Sequence, residues 1–298
     1  MRTTKRFTPT VIARFIREGR CDGIYEDYRA WHKVSRGDPA SSGRSHLLNW
    51  RNRLRDLLSD GELGQQLFAT MLPDLDDSLE QYKLSPDPSV HPLAAYGVGD
   101  LTTTFPGTLE LAKELGIKHH KLNEKGQSTP WHLSTDLVLV FKAATGNRQM
   151  LALAYKTNDW NKSARTCKSL KLEREYWLRR GVPWLLISPE LSDFRVVLTL
   201  RRIACWALAD EAPIELRRLA TQIASDHPFD SLTKVLQLIQ ATAGSMELAQ
   251  NALWQAVWSA DLPIDLTRGW RPHVPLKVIT PAQFAQQNPI ASRRSAWI

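Results

Sequence analysis

Two short apolar runs separated by a turn place the strongest constraint on how this chain folds. Residues 133–141 and 151–156 have strand length and are rich in Leu, Val, Ala and aromatic side chains, and Gly146 and Asn147 lie between them. Gly and Asn are turn residues, so the pattern predicts an antiparallel hairpin. Asp136 near the start of the first strand and Lys156 at the end of the second then lie at the same end of the pair.

A second acidic side chain precedes the hairpin. Residues 57–68 have the pattern of a helix start, with Ser59 as a candidate N-cap and Glu62 three residues later. Glu62 either closes a capping box, or joins Asp136 in holding a divalent metal while Lys156 faces a phosphate. Two carboxylates, water and a substrate phosphate suit Mg²⁺. The pattern by itself leaves both interpretations open.

The composition fits a globular protein of one large or two smaller domains, because 43% of the 298 residues are hydrophobic. No apolar run reaches about 18 residues, and residues 1–6 lead into no long apolar segment, so we expect no membrane span and a cytoplasmic location. Three widely spaced cysteines predict neither a disulfide framework nor a zinc site. They are Cys21, Cys167 and Cys205.

The formal net charge of +8 is concentrated at the two ends of the chain. Residues 1–58 carry 13 Lys and Arg against 6 Asp and Glu, and residues 268–298 carry 5 against none. A positive segment before a group of acids suits a nuclease, since it draws phosphates toward carboxylates that repel them. A solvated basic surface explains the same charge equally well.

Four arginines in the amino-terminal part are candidate contacts to DNA phosphates. Arg44 follows a turn-rich loop, and Arg51, Arg53 and Arg55 alternate with other residues in the manner of a strand with one basic face. Plain surface positions are the alternative for all four. The acids of residues 71–84 are interpreted as a solvated acidic face.

The remaining pattern predicts a mixed α/β sheet flanked by helices. Residues 159–180 read as a helix with Glu173 and its neighbours exposed, and residues 182–188 read as a strand buried on both faces. Helix formers then dominate, and residues 262–279 are a candidate β wing. We therefore expect a catalytic domain over residues 1–190, a helical or winged-helix domain over 191–278, and a basic tail over 279–298.

Several motifs, in order, resemble one known family. They are the Ser-Gly-Arg turn at 42–44, Leu-Leu-Ser-Asp at 57–60, Gly-Ile-Lys-His at 116–119, Ser-Thr-Asp at 134–136, and Pro-Trp at 183–184. With Glu62 and Lys156 they resemble TnsA, the endonuclease subunit of heteromeric transposases. The resemblance is good over about residues 36–190 and loose elsewhere.

The resemblance implies a restriction-endonuclease-like fold in which Glu62 and Asp136 bind Mg²⁺, which Mn²⁺ replaces, and Lys156 stabilises developing negative charge or orients the attacking water. One position departs from the family pattern, because Ala154 stands where a Gln or Glu is expected. Its side chain offers no metal ligand, so we expect water or the Tyr155 carbonyl to take that place.

The resemblance further implies cleavage of the 5′ ends of a transposon in double-stranded DNA, beside a TnsB-like transposase and a TnsC-like AAA+ ATPase, with a nucleoid association when DNA is bound. Target choice, including RNA-guided choice by a CRISPR-associated element, is left open. Two alternatives remain, namely a catalytically weak DNA-binding scaffold subunit and a stand-alone restriction-type nuclease.

Overall fold

A computed structural model describes residues 7–40 and 44–297. These residues form two compact units. The first comprises the chain up to Gln66, then Asp74–Ser188, and Ala296 with Trp297, and the second comprises Leu67–Pro73 and Pro189–Ser295. The domain limits expected at residues 190 and 278 stay predictions.

The regular elements follow one another in a mixed order. In the described residues the strands are β1 (His46–Trp50), β2 (Arg53–Leu57), β3 (Leu75–Lys83), β4 (Ser89–Val90), β5 (Thr104–Phe105), β6 (Lys121–Glu124), β7 (Gln127–Pro130), β8 (Ser134–Lys142), β9 (Arg148–Tyr155) and β10 (Trp184–Ile187). The α-helices there are α1 (Pro9–Arg17), α2 (Asp60–Thr70), α3 (Thr108–Glu114), α4 (Ala164–Leu178), α5 (Phe194–Ala207), α6 (Ile214–Asp226), α7 (Leu232–Ala243), α8 (Met246–Trp258) and α9 (Pro281–Gln287).

A four-stranded mixed sheet forms the centre of the first unit. Its strand order is β10-β9-β8-β3, with β9 and β10 parallel and the other neighbours antiparallel. Helix α4 packs on this sheet through Leu170 and Trp177, against Val138 and Ala152. The predicted hairpin is β8 with β9, and the predicted mixed α/β class with flanking helices is confirmed.

Strand β3 corrects one sequence interpretation. The acids of residues 71–84 were expected on a solvated face, but Asp77 and Glu80 are 1% and 0% exposed. Arg53 binds both carboxylate oxygens of Glu80, at 2.5 and 2.7 Å, and Arg55 lies 3.9 Å from Asp77. The acids are buried because arginines from β2 compensate their charge, which no pattern within β3 itself reveals.

The chain returns to the first unit at its carboxyl end. The Ala296 N–H donates to the Leu186 carbonyl of strand β10 at 2.8 Å. Trp297 stacks on Trp160, with ring centroids 5.4 Å apart, and meets the edge of Trp184 at 5.8 Å. This segment therefore covers the free side of an edge strand.

The second unit is built of helices. Trp254 and Trp258 of α8 are 1% and 5% exposed, which confirms their interpretation as core residues. The predicted β wing is wrong, since residues 262–279 contribute isolated bridges and a short 3₁₀ turn rather than a strand. Their prolines and Gly269 interrupt any continuous ladder. For the carboxyl-terminal region as a whole, the helical alternative is confirmed by helices α5 to α8.

Part of the expected basic tail is ordered within the second unit. Thr280 and Gln283 form a capping box at the start of α9, and Phe284 and Ile290 are buried. Ile298, the terminal residue of the tail, lies outside the described residues. No helix in the described ranges is both long and apolar enough to cross a membrane.

The Trp297 contacts lead to a stability prediction for the first unit. Trp297→Ala removes two aromatic contacts and part of the cover over β10, so we expect a loss of about 1–3 kcal/mol in the free energy of unfolding. Urea denaturation followed by tryptophan fluorescence and circular dichroism measures it. Phe229, which is 91% exposed, supplies the control. If Phe229→Ala and Trp297→Ala have equal effects, the covering role of Trp297 is refuted.

Candidate active site

Asp136 and Lys156 meet at one end of the hairpin, as their positions in the sequence predicted. The Lys156 ammonium lies 3.1 Å from Asp136 Oδ2, and the same oxygen accepts the Tyr155 N–H at 2.7 Å. Lys156 also donates to the Tyr155 carbonyl at 2.7 Å. Burial lowers the pKa of Lys156, but the neighbouring carboxylates of Asp136, Glu173 and Glu62 outweigh it and raise the pKa. The ammonium is therefore firmly charged.

Glu62 is held at the first turn of α2 by three donors. Its N–H donates to Ser59 Oγ at 3.2 Å, and its carboxylate accepts from Ser59 Oγ, from the Leu58 N–H at 2.8 Å and from Gln81 Nε2 at 2.9 Å. The capping role of Glu62 is therefore present in a modified form, because its carboxylate accepts from the Leu58 N–H in place of the Ser59 N–H of a standard capping box. It does not exclude the second role, because the same bonds fix the carboxylate in one orientation.

Gly61 explains how α2 comes so close to the hairpin. A Cβ at this position would overlap the Tyr155 ring, so only glycine permits the observed approach. The approach brings Glu62 near Asp136. Burial, and next the negative charge of Asp136, raise the pKa of Glu62 to about 7.

Glu173 is a further acid of the site that sequence reasoning placed on an exposed face. It is 5% exposed, and its Oε1 accepts from Thr135 Oγ1 at 2.9 Å and from Trp184 Nε1 at 3.2 Å. Burial, then Asp136, raise its pKa to about 7. A signal was present in the sequence, since Leu170, Glu173 and Trp177 are spaced three and four residues apart on one helix face.

The strand end that departs from the family pattern is closely packed. Ala154 is 1% exposed, and its carbonyl accepts from Gln65 Nε2 at 3.2 Å. The Tyr155 carbonyl, expected as a substitute metal ligand, accepts from Lys156, and its role as a ligand stays a prediction. Gln65 Oε1 is buried without a hydrogen-bond partner among the described residues, so an amide oxygen from α2 lies near the position where the strand lacks one.

The four candidate DNA contacts are in two different environments. Arg44 is exposed and lies 3.3 Å from Asp60 at the start of α2, whereas Arg51 lies in the turn between β1 and β2. Arg53 and Arg55 are 7% and 1% exposed and face acids inside the protein. Arg53 and Arg55 do lie on one face of β2, as their alternation predicted, but that face is buried, and Arg51 lies before the strand. Contact with DNA stays a prediction for all four, and the burial of Arg53 and Arg55 argues against it.

The site has the donor chemistry for a divalent cation. Burial and then repulsion by Asp136 raise the pKa of Glu62, and a bound cation would relieve that repulsion. Among the described residues no group of three or more His, Cys, Asp or Glu is arranged to hold a metal. A cation at the site of Glu62 and Asp136 would therefore be held by these two carboxylates together with water and substrate oxygens.

A mixed sheet with Asp and Lys at one end of a hairpin, and Glu from a preceding helix, is the arrangement that the restriction-endonuclease-like class implies. Comparison with known proteins agrees with this class. Residues 98–189 match the family model for the TnsA-like endonuclease N-terminal domain. The chain is 30% identical over 184 residues to the Transposon Tn7 transposition protein TnsA of Escherichia coli.

The resemblance first seen in the motifs is therefore confirmed, and residues 98–189 are similar to the TnsA-like endonuclease N-terminal domain. The match to the Escherichia coli protein covers 61% of this chain and 58% of that relative. Within the family-model match lie Asp136, Lys156 and Glu173, whereas Glu62 lies before it.

The Arg53–Glu80 pair predicts a structural rather than a DNA-binding role for Arg53. Arg53→Gln leaves Glu80 buried without its cation, so we expect a loss of about 3–5 kcal/mol in unfolding free energy. The slope of log DNA affinity against log salt should stay unchanged for the folded fraction. Arg51→Gln is the matched control at an exposed arginine, and it should leave the free energy of unfolding nearly unchanged. A reduced salt slope with normal stability in Arg53→Gln would contradict the structural role.

The buried acids predict a pH dependence of stability. The pKa values of Glu62 and Glu173 are raised to about 7, so their favourable contribution is complete below the unfolded pKa of about 4.5 and is lost as the pH rises through about 7. Glu173→Gln keeps an oxygen for Thr135 and Trp184 but removes the ionisation. We expect it to lessen the fall in stability between pH 5 and pH 8 by about 1–3 kcal/mol.

Urea denaturation at both pH values measures this difference. Glu175→Gln on the same helix, whose side chain is partly exposed and paired with Arg179, is the control. If both variants keep the pH dependence of the unmodified chain, the assignment of a titrating Glu173 fails.

Proposed function

We propose that this chain is the metal-dependent endonuclease subunit of a heteromeric transposase, and that it cuts the 5′ ends of a transposon in double-stranded DNA. The observation that carries the proposal is the convergence of Glu62, Asp136 and Lys156 at one end of the central sheet. The TnsA-like match supports it, because that family is described as endonucleases.

Each side chain has a distinct task in phosphodiester hydrolysis. Glu62 and Asp136 hold the cation, which when bound supplies positive charge to the scissile phosphate and makes an attacking water more acidic. Lys156, kept charged by its acidic neighbours, stabilises the negative charge that develops on the phosphate oxygens. Mg²⁺ is the cation we propose, with Mn²⁺ as a substitute, because the ligands are carboxylate oxygens.

Glu173 has a positioning role: it orients the neighbours of Asp136 and does not contact the reacting groups itself. It accepts from Thr135, which directly precedes Asp136, and its negative charge raises the pKa of Lys156. Thr135 in turn accepts from Trp177 Nε1 at 2.7 Å. These bonds connect helix α4 to the beginning of strand β8 and so fix the backbone position of Asp136.

The partners of the subunit are part of the proposal. A separate TnsB-like transposase would cut and join the 3′ ends, and a TnsC-like ATPase would gate assembly. The Escherichia coli relative is named as a Tn7 transposition protein. An assembly of this kind would place the chain on DNA inside the cell.

A catalytically weak scaffold subunit is the second candidate function. Ala154 favours it, because alanine cannot supply the ligand expected from the strand that carries Lys156. The positions of Glu62, Asp136 and Lys156 favour the nuclease, because together they provide two carboxylates for a cation and an ammonium for the phosphate.

Substitution of the two proposed metal ligands tests the nuclease against the scaffold. Asp136→Asn and Glu62→Gln keep side-chain size but delete a negative charge, so we expect 5′-end cleavage to fall at least about 100-fold while DNA affinity stays nearly normal. The assay uses end-labelled transposon-end duplex with Mg²⁺ or Mn²⁺ and the partner proteins. Asp74→Asn, at an exposed turn, is the matched control.

Two results would decide against the proposal. Cleavage at the unmodified rate in Asp136→Asn or Glu62→Gln would remove these residues from the site. Normal partner-dependent 3′ joining with no 5′ cleavage by the unmodified chain would leave the scaffold function.

A further inference from the structure

The first unit has an open cleft of about 980 Å³ that the site described above does not include. One wall is the segment from Ile117 to Asn123, and the other is formed by the first turns of α4. Four of the lining side chains are basic, namely Lys118, Lys121, Arg165 and Lys168, and none is acidic.

These four cations have no acidic partner among the described residues, unlike several arginines of the same unit. Each is exposed, and in the part of the chain that the structure describes none lies within ion-pairing distance of a carboxylate. Arg53, Arg148 and Arg179, by contrast, are each paired with an acid. Unpaired like charges that face one space repel one another, and a polyanion in that space converts the repulsion into attraction.

Hydrogen-bond donors and one aromatic ring accompany the charge. Asn123 and Ser169 line the cleft, as do His120 and Trp131. The Trp131 N–H donates to the His120 carbonyl at 2.8 Å, which fixes the wall at this point. Lys, Arg, Asn and Ser side chains are the groups that most often contact DNA phosphates and sugars.

The cleft lies beside the carboxylate end of the hairpin. Leu133 lines it and is followed by strand β8, so three extended residues, or about 10 Å, separate Leu133 from Asp136 along the chain. On the other wall, Leu172 lines the cleft and adjoins Glu173, which binds Thr135. Phosphates of one DNA strand recur about every 3.4 Å of helix axis, so this separation corresponds to a few nucleotides.

We propose that this cleft binds the sugar-phosphate backbone of duplex DNA a few nucleotides from the scissile phosphate, and that Lys118, Lys121, Arg165 and Lys168 make the phosphate contacts. The proposal rests on the proposed nuclease function for the identity of the nearby scissile phosphate. An acidic protein surface is the other polyanion that fits the charge. DNA is favoured because the basic walls lead to the same strand end as the Asp136–Lys156 pair.

Two independent double variants test the cleft. Lys118→Gln with Lys121→Gln neutralises one wall, and Arg165→Gln with Lys168→Gln neutralises the other. Because all four side chains are exposed, both variants should fold, which circular dichroism checks. The purified chain is titrated with fluorescent duplex DNA, without metal, at several salt concentrations. We expect each double variant to lower the slope of log affinity against log salt by up to about 1.8, or about 0.9 per contact.

The control variant carries the same change of net charge elsewhere. Lys142→Gln with Lys234→Gln neutralises two exposed lysines without ion-pair partners in the described residues, one of them at the opposite end of strand β8 from Asp136. Its salt slope should equal that of the unmodified chain. An unchanged slope in both cleft variants, or an equal loss in the control, overturns the proposal.

The outcomes also separate the cleft from the nuclease function. If the cleft variants lose affinity but the unmodified chain never cleaves DNA with its partners, the cleft stands and the nuclease function fails. If cleavage occurs and the slopes do not change, the nuclease stands and the cleft proposal fails. Normal DNA binding combined with loss of association to a partner protein identifies an acidic protein as the ligand and overturns the DNA assignment.

Discussion

The ion pair between Asp136 and Lys156 is the interaction on which the candidate site depends. Asp136 Oδ2 accepts both the Lys156 ammonium and the Tyr155 N–H, so one carboxylate oxygen joins the two strand ends of the hairpin. A charge at this depth is stable only with such partners. Helices α2 and α4 then bring Glu62 and Glu173 toward the same pair, and burial, followed by the negative charge of Asp136, raises the pKa of each. A bound cation would favour the ionised form of these acids and relieve their repulsion by Asp136.

Basic residues in this chain serve two separate purposes that composition does not distinguish. Arg53 and Arg55 neutralise buried acids of strand β3, which makes them part of the packing around the sheet. Lys118, Lys121, Arg165 and Lys168 face an open cleft and have no acidic partner in the described part of the chain. A count of positive charge along the sequence treats both groups alike, and it therefore places the candidate DNA contacts in the arginine-rich amino-terminal part. Only the position of the acids separates the two groups.

Ala154 shows how a family pattern and a structure complement each other. The sequence shows that a ligand is missing from the strand, and the structure shows that the alanine side chain is buried and that Gln65 of α2 reaches its carbonyl. The first unit therefore places an amide from a helix next to a strand position that lacks one. The Tyr155 carbonyl accepts from Lys156 and keeps a second lone pair, so its role as a metal ligand stays a prediction.

The sequence by itself determined the hairpin, the capping of α2 by Ser59 and Glu62, the helices of the second unit and the meeting of Asp136 with Lys156. These features follow from periodicity, turn residues and strand pairing, all of which act between neighbours in the chain or across one turn. Tertiary structure decided the burial of Glu80 and Glu173 and the pairing of Arg53. Each of these depends on a partner many residues away; Arg53 and Glu80, for example, are separated by 27 positions in the sequence. Local pattern carries no information about such a partner, and the cost of burying a charge is decided only when that partner is in place.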